Sequence, residues 1–184
     1  VQADFDRALA MLHNMMYETA RSDFQEIAEA DPKCAMAYWG VATTLFQPLW
    51  GTRPPEGDLQ QGWEHSSKAI ELADSKREKL LAEATAAFFR DPEATDFWLR
   101  IERWTDGVEA VYEAYPSDPD ITALYGLSLL TLAQRADDRN PLHDEAEALL
   151  REVYEEHPRH PGAIHYTIHA TDVDGRAENA LDIV

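Results

Sequence analysis

Apolar residues along this chain recur at helical intervals and stop at regular places. Phe5, Ala8, Leu9 and Leu12 fall on one face of a helix with about 3.6 residues per turn. A break follows at Asn14, and Tyr17, Ala20, Phe24 and Ile27 form a second stripe. Four helical-looking segments then end at Pro32, Asp74, Pro116 and Pro158, positions spaced by 42 residues each time. Proline just past a helix is a physical stop, because it lacks the N–H of the next i→i−4 bond and clashes with the preceding turn. A fixed period in this range marks stacked supersecondary units. The pattern predicts helical hairpins over about 1–32, 33–74, 75–116 and 117–158, and a partial fifth over 159–184.

Within those units the expected helices are 34–46 and 58–73, then 75–90 and 93–115, then 119–135 and 141–157, and last 161–172. Asp174-Gly175 breaks the last one, and Arg176–Val184 begins another. The connector from Gln47 to Gly57 is rich in Pro and Gly and is not helical throughout. Alternation of period two is absent over any useful length, so the expected class is all-α.

Composition narrows the partners. The chain has 184 residues, enough for one domain with a real core. It carries 35 acidic and 16 basic residues, a formal net charge of −19. Nucleic-acid binding needs a basic face, so it is not expected. The same sign disfavours docking on anionic lipid, and a basic peptide or a cation is what such a field attracts. The plainer role of the charge is to keep the protein in solution. Cys34 is the single cysteine, so no intrachain disulfide and no Cys-rich zinc module is available. No apolar run approaches the roughly 20 residues of a membrane helix. The start at Val1 leaves the compartment open between cytoplasm and periplasm.

Tyr17, Ala20, Phe24 and Pro32 fall at the spacing of the tetratricopeptide repeat, with Ala42 and Gly126 at its small first-helix position. The chain resembles that family, whose usual unit is about 34 residues, so the later units here are longer. Asp31–Gly40, Pro48-Leu49-Trp50 and His160–Asp172 together resemble a group of uncharacterised bacterial tetratricopeptide-repeat proteins. That likeness implies a right-handed α-α superhelix, a solenoid of about four and a half hairpins with a 42-residue period after the first unit. It also implies that the chain is the N-terminal piece of a longer protein. It brings no established activity.

In such a solenoid the first helices line the concave face. The family register then places Phe5, His13, Trp39, Phe46 and Phe88 in a groove for a protein or peptide. The groove lacks the Lys, Arg and Asn side chains of the clamp-type members that hold a C-terminal carboxylate. The competing reading is that these apolar side chains pack as core. The unfinished last unit offers an edge for a homo-oligomer. Trp50, in the long connector, either plugs its own unit or reaches a partner.

The chemistry-bearing stretch is His160–Asp172. His165, His169 and Asp172 are i, i+4 and i+7, one stripe if all lie on a helix. Two imidazoles and a carboxylate suit a divalent transition metal such as zinc, iron or copper. The alternatives are hydrogen-bonding or packing histidines. Asp137 and Asp138 are further carboxylates expected near Asp172, and His157 and His160 are expected to be solvated beside a proline turn. No His-Glu-x-x-His, Gly-x-Ser-x-Gly or phosphate-binding glycine loop occurs, so no catalytic residues are assigned.

Overall fold

The structure is a computed structural model that describes residues 2–50, 52–91, 96–173 and 175–183. Among the described residues the regular structure is helical: nine α-helices, one 3-10 turn and no strand. The chain forms two compact units, Val1–Val111 and Tyr112–Val184.

The first unit holds α1 (Gln2–His13), α2 (Tyr17–Ala30), α3 (Ala35–Thr43), α4 (Glu56–Leu72) and α5 (Lys76–Phe89). It also holds α6 (Phe97–Ala114) as far as Val111. Successive helices from α1 to α5 pack on one another, and α3 also touches α1 and α5. The expected breaks at Asn14 and Pro32 separate α1, α2 and α3. The helix expected over 34–46 is shorter, ending at Thr43. Of the helix expected over 93–115, residues 93–95 lie outside the described residues, as does Gly51 of the connector.

Aromatic rings fill this unit. Phe24 meets Phe5 at 5.6 Å and Trp39 at 6.5 Å, both edge-on. Phe46 stacks on Phe88 at 4.1 Å and meets Phe89 and Trp104 edge-on. Such pairs add about 0.5–1.5 kcal/mol each beyond the area they bury. Two glycines let the helices close. A Cβ on Gly40 would lie 2.4 Å from the Phe24 ring, and one on Gly62 would lie 2.1 Å from Phe89. Glycine inside a helix costs about 0.5–1 kcal/mol against alanine, so its place here is explained by the ring behind it. Ser75 starts α5 with a capping box: its Oγ accepts from the Glu78 N–H, and the Glu78 carboxylate accepts from the Ser75 N–H. Arg100 is buried and donates to the carbonyls of Phe88, Arg90 and Asp91, satisfying the end of α5.

The second unit holds α7 (Pro119–Ala133), α8 (Asn140–Glu156), α9 (Pro161–Thr171) and the 3-10 turn Ala177–Ala180. Helix α7 is buried continuously from Ile121 to Thr131, which its run of apolar and small residues permits. It packs on α8 and α9. At Gly126, singled out above for its size, an added Cβ would meet Leu150 at 3.0 Å. The second helix expected from Arg176 is only the 3-10 turn, and Asp174 of the expected break lies outside the described residues. Gly175 has φ +82, a left-handed conformation that glycine adopts without strain.

Candidate functional site

The residues expected to line a groove are mostly interior. His13, Trp39, Phe46 and Phe88 are at most 3% exposed, and Phe5 is half-buried against Phe24. A molecule resting on the surface does not touch the first four. Three of them pack on other buried rings: Trp39 on Phe24, and Phe46 and Phe88 on each other and on Phe89. Among the described residues, the large apolar side chains that face solvent are Met16, Trp50, Trp63, Leu99 and Leu181. Of these the sequence pointed only to Trp50.

On α9, His165 and His169 are both half-buried, with ring centroids 4.9 Å apart and tilted by 45°. His165 also lies against Tyr166. Burial lowers the pKa of His169, the neighbouring His165 lowers it further, and Asp172 acts in the opposite sense. The net effect favours the neutral imidazole, the form that offers a lone pair to a metal. Asp172 does not complete the stripe. It is the exposed C-cap of α9, with φ −76 and ψ 57. Its N–H still bonds the Ile168 carbonyl, so the backbone leaves the helix only after its Cα. Among the described residues, the donor atoms of His165, His169 and Asp172 do not all gather within 4.8 Å of one another. Asp138 accepts from the Asn140 N–H at the start of α8 instead.

His160, expected in solvent, is a structural residue with its side chain only 9% exposed. Its Nδ1 accepts from the Ala163 N–H at 3.1 Å, capping α9. An accepting Nδ1 carries no proton, so Nε2 is the N–H that donates to Asp120 Oδ1 at 3.0 Å. His143 was not picked out by the sequence. It is buried, with Nδ1 2.9 Å from the Ala170 carbonyl, a bond it makes only by donating. Beside it, buried Glu147 accepts from Arg176 at 2.6 Å and from Arg151 at 3.0 Å. Burial alone would raise the Glu147 pKa, but these hydrogen bonds and charges outweigh it and hold the carboxyl below its usual range. Arg176 through Glu147, and Arg151 through a second bond to Asp182 at 3.2 Å, tie the segment after α9 to α8.

In the first unit, α1 and α2 enclose a cavity lined by Asp4, Arg7, Asp23, Glu26, Ile27 and Ala30. Asp23 Oδ1 accepts from Arg7 at 2.9 Å. Its Oδ2 is buried and has no hydrogen-bond partner.

No helix among the described residues is long and apolar enough to cross a membrane. Compared with known proteins, the chain matches no family model and none of the curated proteins.

Proposed function

We propose that each unit is a stretch of tetratricopeptide-like α-α superhelix and that the chain works as a scaffold binding a protein or peptide segment. The observation that carries this reading is a contact one period long. Thr43 Oγ1 and Thr85 Oγ1, 42 positions apart, lie 3.3 Å from each other. Helices α1, α3 and α5 are neighbours, as are α7 and α9 in their own unit. Equivalent positions meet in this way when repeats stack, and stacked repeats bind through their extended surface. With Trp39, Phe46 and Phe88 buried, recognition falls to the exposed polar surface. A net charge of −19 makes a basic segment the favoured partner.

The test is fluorescence anisotropy with a labelled lysine-rich peptide and a glutamate-rich one of equal length. The lysine-rich peptide should bind at low salt and weaken as salt rises. Equal binding of both peptides, or none at low salt, overturns the reading.

A second reading is favoured by the His165–His169 pair: a divalent transition metal held by the two imidazoles, with other positions open to water or ligand. Zinc titration followed by calorimetry tests it. Wild-type protein should bind zinc, and the His165→Ala/His169→Ala double variant should not. Identical isotherms would remove the metal.

A further inference from the structure

We infer that the cavity beside the connector between α3 and α4 is a binding site for the anion of a short-chain carboxylic acid. Three segments of the first unit line it: α2 through Arg21, the turn after α3 through Gln47, and the connector from Thr52 into the first turn of α4 at Asp58.

The central observation is Arg21. The chain carries 35 acidic residues against 16 basic ones, and Arg7, Arg103, Arg151 and Arg176 each meet a carboxylate. Arg21 does not. Its Nε donates to Thr44 Oγ1 at 3.1 Å and its Nη2 to the Thr44 carbonyl at 2.7 Å, both neutral acceptors. Thr44 is fully buried, and its own hydroxyl donates to the Val41 carbonyl at 2.7 Å, so the guanidinium is anchored on a fixed support. The remaining nitrogen, Nη1, has no acceptor among the described residues and is not sealed from solvent. A planar guanidinium edge is the group that carboxylates bind best. Holding it in place beforehand removes an ordering cost from binding.

The class of ligand follows from the rest of the lining. Gln47 Oε1 accepts from Thr52 Oγ1 at 3.2 Å, which leaves the amide Nε2 as a donor. Arg53, its guanidinium 3.7 Å over the Phe97 ring, brings a second positive charge to the cavity. Asp58 is the one carboxylate in the lining, and among the described residues no ion pair joins it to either arginine. Two guanidiniums less one carboxylate leave one positive charge, which matches a monoanion. A phosphate dianion would carry surplus charge into a molecule whose net charge is already −19. Pro54 and Pro55 give the cavity an apolar side that suits an alkyl chain. Its volume is about 160 Å³. A cavity of about 150 Å³ holds a molecule the size of benzene, which limits the acid to a few carbons.

The experiment titrates the full chain with butyrate, butyramide and inorganic phosphate, followed by the signals of backbone amides, arginine Nε–H groups and glutamine side chains. Butyrate should move the Arg21 Nε–H and the Gln47 side-chain amide. Butyramide, of the same size but uncharged, should bind at least tenfold more weakly. Arg21→Gln should weaken butyrate about tenfold or more, the scale of one lost charge-assisted hydrogen bond. Arg21 also holds the end of α3, so a loss in that variant alone has a structural explanation. Two changes that leave the Thr44 bonds intact therefore decide: Gln47→Leu should weaken butyrate, and Asp58→Asn should tighten it. The exposed Glu155→Gln on α8 should leave it unchanged, and a thermal melt checks that each variant folds. Equal binding of butyrate and butyramide, or affinity insensitive to both Gln47 and Asp58, overturns the site. Phosphate binding there in place of butyrate overturns the carboxylate assignment.

Discussion

Replacing Gly40 with alanine puts a methyl group where the Phe24 ring already lies. The new Cβ would be 2.4–2.5 Å from three ring carbons, and ordinary contact begins at 3.4 Å. The ring must therefore retreat by about 1 Å. It has little room, because Phe24 is fully buried and edge-on to both Phe5 and Trp39. Two terms oppose each other. Alanine for glycine in a helix interior gains about 1 kcal/mol, whereas forcing extra volume into a packed core costs about 1–3 kcal/mol. Loosening two aromatic pairs worth about 0.5–1.5 kcal/mol each adds to the cost. The packing side wins, and the net expectation is a loss of about 1–2 kcal/mol. Gly57→Ala is the control. Gly57 is exposed in the first turn of α4, with nothing within 4 Å of an added Cβ, so only the gain remains. Urea unfolding followed by tryptophan fluorescence reads both, since Trp39 sits against the displaced ring. Gly40→Ala should lower the midpoint and Gly57→Ala should hold or raise it. In a double-mutant cycle, Phe24→Leu should cost less in the Gly40→Ala background than in the wild type. If Gly40→Ala proves as stable as Gly57→Ala, or if the cycle shows no coupling, the close approach of α2 and α3 is wrong.

Two further outcomes follow from the second unit. The folded Glu147 carboxyl holds its proton less tightly than the unfolded one, so its contribution is complete above the usual value of 4.5 and is lost as pH falls through the lower folded value. Urea midpoints measured across that acid range should fall less steeply in Glu147→Gln than in the wild type; parallel curves would show that the Arg151–Glu147–Arg176 cluster contributes nothing. His160→Ala should cost about 1 kcal/mol, the usual loss for an N-cap. His160→Asn should recover most of it, because asparagine can also accept from the Ala163 N–H; equal melting temperatures for the two variants would refute the cap.

The helices were legible because two local signals agree: apolar stripes mark their faces and proline or Asx-Gly marks their ends. What lies opposite a stripe was not legible. Apolar positions such as Trp39, Phe46 and Phe88 read the same whether they face a ligand or a neighbouring helix. Glycine was the available clue, since Gly40 follows Trp39 directly and an interior helical glycine is costly unless something needs the space. His160 had a clue as well. Pro161 occupies the first position of α9, and the residue before such a proline is the natural N-cap. Asp172 makes the last helical N–H bond of α9, and spacing alone does not say whether its carboxylate gathers with the two imidazoles.

The division between buried aromatics and exposed carboxylates also fixes where specificity can come from. Most of the 35 acidic side chains contribute only a diffuse field, because an exposed ion pair is worth about 0–1 kcal/mol and is screened by salt. Such a field speeds the approach of any basic molecule without choosing among them. Choice needs a place where the wrong group leaves a penalty standing, and an exposed carboxylate, which water satisfies as well as a ligand does, supplies none. Raising ionic strength should therefore erode binding of lysine-rich and arginine-rich peptides in parallel; a preference that survives high salt would locate a desolvated contact.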